Sequence, residues 1–149
     1  MFQLTYYSKA IPNISAKDIS NILEVAIKNN KEHNLTGCLV FIDNTFIQIL
    51  EGEKEKIETL YSNLLLDPRH TNVNLISKGE SEKRFFSEWG MAYYPISKKT
   101  KGSEIELFHR NLDILLDLSQ PKTDTEREFW VMVKMKLSQN RLVSGSQEI

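Results

Sequence analysis

Residues 45–53 read TFIQILEGE. Period two along this run puts Phe46, Gln48 and Leu50 on one face and Ile47 and Ile49 on the other, as in a strand set inside a core. Just upstream, Asp43-Asn44 forms a tight turn and Cys38–Ile42 is an unbroken apolar run, the mark of a central strand. The two strands therefore read as a β-hairpin. Downstream, Gly52 supplies a strand-to-helix turn. A helix over about Glu53–Asp67 follows, with Ile57, Leu60, Tyr61 and Leu64 inward and Pro68 as its stop.

Outward from this centre the chain keeps alternating. Residues 2–8, FQLTYYS, place Phe2, Leu4, Tyr6 and Ser8 on one face of a half-buried strand. Ser15 is a good N-cap with Asp18 three residues on, and the helix behind it carries Ile19, Ile22, Leu23, Ala26 and Ile27 at core spacing. Further strands are predicted near Val73–Lys78 and Trp89–Tyr94. The order β-α-β-β-α-β-β predicts a ferredoxin-like α+β fold with two helices on one sheet face. Two more helices, about Glu104–Leu118 and Thr125–Leu137, are expected to cover the other face. The predicted division is a domain over 1–97, a helical cap over 98–140 and a flexible tail over 141–149.

Bulk properties narrow the function. With 149 residues, 40% hydrophobic and 26% charged, the chain suits one globular domain. Its net charge of −1 gives no general attraction to nucleic acid or anionic lipid. The single cysteine, Cys38, excludes an internal disulfide and reads as a small core residue. His33, His70 and His109 have no metal-ligand spacing, so no metal site is expected. No segment has the roughly 20 apolar residues of a membrane span, nor the start a signal-peptide core. A reducing cytoplasm is the expected compartment.

Polar side chains on core faces are the informative feature. Gln48 lies among bulky apolar neighbours, Asn30 continues the apolar stripe of the first helix, and Tyr6 shares a face with Phe2 and Leu4. A buried amide without partners costs roughly 1–3 kcal/mol. Taken singly, each has an ordinary explanation: backbone bonding for the amides, packing for the phenol, a helix end at Asn30. Together they point three hydrogen-bonding groups into the space between helices and sheet. An asparagine amide matches the carbonyls and N–H of a flavin ring, and a glutamine, both donor and acceptor, can bridge a phenol to it.

Over about residues 2–95 the sequence resembles the BLUF photoreceptors (blue light using flavin). The matching pieces are LTYYS with Tyr6, IKNNKEHNLTG with Asn29-Asn30, FIQILEGE with Gln48, DPRH with Arg69-His70, and FSEWGM with Trp89 and Met91. The resemblance implies a non-covalently bound flavin, FAD by family habit with FMN possible, between the first two helices. It makes Tyr6 the electron and proton donor to the excited flavin and Gln48 the residue that then rearranges. Asn30, with Asn29 nearby, is expected to hold the ring edge. Ile22 should pack on the ring, and Ser8 and Phe46 should line the pocket. Arg69 and His70 should flank the ring edge or the ribityl-phosphate. Trp89 and Met91 lie where the change in Gln48 is read. Ala26 stands where some family members carry serine, so one polar contact is expected to be missing.

The expectation is thus a sensor and not an enzyme, acting alone and signalling through self-association or an unidentified downstream protein. The alternatives are a flavin oxidoreductase or hydrolase on the same scaffold and a cofactor-free interaction module. Against an enzyme, there is no Gly-rich phosphate loop, no Ser/His/Asp set and no poised Cys/His pair. Trp130, Met132 and Met135 give the last helix more large apolar groups than one face hides, which suggests an association surface.

Overall fold

The computed structural model describes residues 1–86 and 120–147. Its elements are β1 (Phe2–Ala10), α1 (Ala16–Glu32), β2 (Thr36–Ile42), β3 (Thr45–Gly52), α2 (Lys54–Leu66), β4 (His70–Glu80) and α3 (Asp124–Gln147). The four strands form an antiparallel sheet in the order β2-β3-β1-β4, the ferredoxin-like α+β arrangement. The strand expected over Trp89–Tyr94 and the helix expected over Glu104–Leu118 lie outside the described residues.

Period two sorts the strand side chains into two cores. Phe2, Leu4, Tyr6, Leu39, Phe41, Phe46 and Leu50 face α1 and α2, where Ile19, Ile22, Ala26, Ile57, Leu60 and Leu64 meet them. Cys38, Val40, Ile42, Ile47 and Ile49 face the other way, against Phe129, Trp130 and Val133 of α3. Burial pushes the Cys38 thiol up to about 12, as for an inert core cysteine. The apolar run of β2 reflects this double cover. Among the described residues β2 stands at one end of the strand order.

Local signals act as read. Ser15 caps α1, its side chain accepting from the Asp18 N–H while the Asp18 carboxylate accepts from the Ser15 N–H. Asp43 and Asn44 both take positive φ, +50° and +57°, the geometry of a two-residue hairpin turn whose twist suits the strands. Asn30 does not end α1, which continues to Glu32.

Two readings are corrected. Ile27 was expected inward but is 46% exposed. The buried line runs Ile19, Ile22, Ala26, Asn30, and at 100° per residue Ile27 has already turned past it. The last helix was expected to end near Leu137, yet it starts at Asp124 and runs to Gln147, through most of the segment expected as a tail. Beyond Pro121 the sequence has no proline and one glycine, Gly145, so nothing forces a stop.

Gly37 fixes how closely β2 meets β3. Its φ is +155°, and a Cβ there would lie 1.9 Å from the Ile49 carbonyl oxygen. Gly37→Ala must therefore push backbone from backbone inside the hairpin. We expect a loss of at least about 2 kcal/mol, seen as a lower denaturant midpoint in far-UV circular dichroism.

Candidate functional site

Between α1, α2 and the sheet lies a cavity of about 620 Å³, a volume suited to a cofactor-sized ligand. Its floor is the cross-strand pair Tyr6 and Gln48, placed opposite each other by the β1–β3 register. The Tyr6 hydroxyl donates to Gln48 Oε1 at 2.6 Å, a short bond between two side chains that are 2% and 5% exposed. Burial, with smaller contributions from Tyr61 and Asp67, pushes the Tyr6 phenol above its ordinary value, so it stays protonated and a donor. Beside Tyr6 the β1–β4 register shifts between Thr5 and Tyr6, an irregularity of the kind that aims a side chain. The Tyr61 ring lies 5.8 Å from the Tyr6 ring, inclined at 60°.

The α1 wall carries Ile22, Val25, Ala26, Asn29, Asn30 and His33. Asn30 is 1% exposed, and among the described residues neither its Oδ1 nor its Nδ2 has a hydrogen-bond partner. A folded chain does not bury an amide in this way without cost. One acceptor and one donor, side by side and facing a cavity, fit the carbonyl and N–H edge of a flavin ring. The flavin fits the residues present: Asn30 and Gln48 would hold its polar edge, and Ile22 is placed to pack on its face.

Sites expected from the sequence fall into three groups. Tyr6, Ile22, Asn29, Asn30, Phe46, Gln48, Arg69 and His70 all line the cavity. Ser8 does not; it is fully buried behind the wall, its hydroxyl 2.8 Å from Nδ1 of His70. His70 Nε2 contacts the Leu64 carbonyl, so Ser8 and the end of α2 hold the imidazole between them. Ser8 thus acts by orienting His70. Trp89 and Met91 lie outside the described residues.

Arg69 is less free than expected. Its Nε and Nη2 donate to the two carboxylate oxygens of Asp67, at 3.0 and 2.6 Å. These bonds hold the Asp67 carboxyl below the usual range and raise the guanidinium. Two of its five N–H donors are spent on Asp67, which leaves the hydrogens of Nη1 and one of Nη2. The sequence reading missed the α2 wall: Lys56, Thr59, Asn63 and Asp67 line the cavity beside Leu60 and Leu64. Their spacing of three, four and four was the available signal, but polar residues at that spacing also describe a solvent face.

The fold and the cavity define a small ferredoxin-like ligand-binding domain, with a phenol–amide pair as its floor and an unpartnered buried amide on its wall. The BLUF family model, described as sensors of blue-light using FAD, matches residues 1–92. The chain belongs to the BLUF family. It is 37% identical over 87 residues, 58% of its length and 10% of the other's, to the photoactivated adenylate cyclase subunit beta of Euglena gracilis. A bacterial light-regulated adenylyl cyclase structure superposes with a TM-score of 0.65 at 33% identity, covering 78% of this chain and 34% of that one. BlsA in its photo-activated state gives a TM-score of 0.64 at 26% identity, covering 91% and 94% of the two chains. The chain thus spans about a tenth of the length of the first curated relatives it matches.

The Asn30 amide sets stability against binding. Asn30→Leu removes the orphaned polar atoms beside a cavity with room for the larger side chain. In the flavin-free protein the variant should be more stable by about 1–3 kcal/mol in a denaturant titration. The same variant should retain less flavin through gel filtration, read as the ratio of visible to ultraviolet absorbance.

Proposed function

We propose that this chain is a blue-light switch whose moving part is the Tyr6–Gln48 hydrogen bond, with FAD as its bound flavin. The observation that carries this reading is the 2.6 Å phenol–amide bond on the cavity floor, facing the unpartnered Asn30 amide. FAD is assigned over FMN because the family is described by it. The flavin supplies blue-light absorption and, when excited, a pull on an electron.

The chain's own residues supply the rest. Tyr6 is positioned to give up a proton from Oη along its bond to Gln48. The bond depends on the Gln48 oxygen facing the phenol, so a turn or tautomer change of the amide exchanges acceptor for donor at that point. Apolar neighbours exclude water and keep the two arrangements discrete. His70, held by Ser8 and the Leu64 carbonyl, steadies the adjoining wall. Nothing in this sequence of events turns over a substrate, and the chain acts as a sensor and not a catalyst.

Output in this reading passes to a protein, either a second copy of the chain or a downstream effector, in the cytoplasm. Among the described residues no helix is long and apolar enough to cross a membrane. Trp130 is buried in an aromatic cluster with Phe85, Phe86 and Phe129 and leaves the association surface expected of it. Met132 packs partly buried on the same core, so of the expected surface Met135, 45% exposed, remains, joined by Val131, 54% exposed and one turn away on α3.

The test is an absorption spectrum of the purified protein before and after blue light. A yellow protein with a reversible red shift, and no consumption of reduced nicotinamide, is the expected result. Tyr6→Phe should keep the colour and lose the red shift, since only the hydroxyl is removed and the volume barely changes. Gln48→Leu should also stay coloured and lose the normal photocycle. A colourless preparation, or a Tyr6→Phe variant that shifts like the parent, contradicts the proposal.

A further inference from the structure

On the sheet face away from the cavity, a buried polar network joins β1, β3 and α3. Gln3, Glu51 and Glu126 are 0%, 0% and 2% exposed. The Gln3 amide nitrogen donates to Glu51 Oε2 at 2.9 Å and to Glu126 Oε1 at 2.8 Å, so its two hydrogens are shared between two carboxylates. Its oxygen accepts from Thr123 Oγ1 at 2.7 Å. The Thr36 hydroxyl donates to Glu51 Oε1 at 3.1 Å, and backbone N–H groups donate to both carboxylates. Phe85 and Phe86 donate to Glu51 at 2.6 and 2.8 Å, and Lys122 and Thr123 to Glu126 at 2.7 and 3.1 Å. Among the described residues neither carboxylate has an ion-pair partner.

Adhesion alone does not explain this arrangement. Apolar side chains of similar volume generally hold a helix to a sheet as well as buried charges do. What the network adds is geometry: hydrogen bonds weaken steeply with misalignment, so the seat of α3 depends on where Gln3 and Glu51 stand. Those two residues are cross-strand partners on the strands that carry the partners Tyr6 and Gln48. The pairs are three residues apart, ~10 Å along the strands, and the odd spacing puts them on opposite faces. Any change in how β1 meets β3 at Tyr6–Gln48 therefore reaches both the donor and the acceptor that seat α3.

We infer that Gln3 and Glu51 are positioning residues that carry the state of the Tyr6–Gln48 pair to α3 through Glu126, loosening the first turns of α3 in the light. The inference rests on the photoswitch reading above. It differs from a purely anchoring role, which would hold α3 equally in dark and light.

Hydrogen exchange of the flavin-loaded protein, in darkness and under continuous blue light, separates the two. In the parent, amides over about residues 124–136 should exchange about tenfold faster in the light, within the usual range for two coupled sites. In Gln3→Met and in the shape-conserving Glu126→Gln, the flavin red shift should keep its amplitude while the light-dependent ratio in α3 falls to one. Thr5→Val is the control. It removes the bond from Thr5 Oγ1 to the Thr125 carbonyl without touching either carboxylate, and should keep the ratio. If Gln3→Met fails to fold, Glu126→Gln carries the test. A parent that shifts its spectrum but shows equal exchange in dark and light overturns the inference, as does a ratio that survives in the variants. A parent with no spectral shift instead overturns the photoswitch reading.

Discussion

The pairing of β1 with β3 sets Tyr6 directly across from Gln48, and the site is built around that contact. Side chains alternate faces along a strand, so a slip of one residue in this pairing would turn Gln48 toward α3 and leave Tyr6 facing an isoleucine. Asn44 holds the end of this register, its carbonyl accepting from the Ala10 N–H and its side-chain amide donating to the Ala10 carbonyl, and further features fix β3 beside β2. The Asp43-Asn44 turn closes the β2–β3 hairpin, Gly37 lets β2 lie against the Ile49 carbonyl, and Gly52 brings the end of β3 against Leu35. The register also pairs Gln3 with Glu51. The same alignment thus serves the cavity on one face and the seat of α3 on the other.

Around the phenol–amide pair the protein accepts a stability penalty for a binding feature. An asparagine buried without partners is costly, and the neighbouring Ile22, Ala26, Leu35 and Leu39 show that an apolar residue would suit the position. Stability and binding therefore pull Asn30 in opposite directions. Ser8 is satisfied by His70, and Gln3, Glu51 and Glu126 by one another, by threonine hydroxyls and by backbone; among the described residues the Trp130 indole N–H shares Asn30's lack of a partner, but it lies in the α3 core and not on the cavity. Its place on the cavity wall supports the proposal that Asn30 faces the flavin.

Much of this was legible in the sequence, for reasons that can be named. Turn and cap chemistry act locally, so Asp43-Asn44 and the Ser15–Asp18 box could be read directly. Period two sorted β3 correctly, and a glutamine among isoleucines was conspicuous for that reason. Other features depend on contacts distant in sequence. Ser8 looked like a wall residue until β4 brought His70 to it. Arg69 looked like a free cation, but the backbone turn after α2 returns it to Asp67. Lys56, Thr59 and Asn63 have the composition of a solvent face, and only the position of α1 makes them a cavity wall. Glu51 sits beside the Gly52 turn, but Gln3, which bonds it, lies 48 residues before it, and Glu126, which shares the Gln3 amide, 75 after, beyond any local pattern.

In the proposed switch, light changes the hydrogen bonding of one glutamine, Gln48. The most direct measurement is a light-minus-dark infrared spectrum of the flavin-loaded protein, taken with and without isotopic label in the glutamine side-chain amides. If Gln48 is the moving part, difference bands shift with the label and disappear in Gln48→Leu. A red-shifted flavin spectrum accompanied by no label-sensitive band would contradict it.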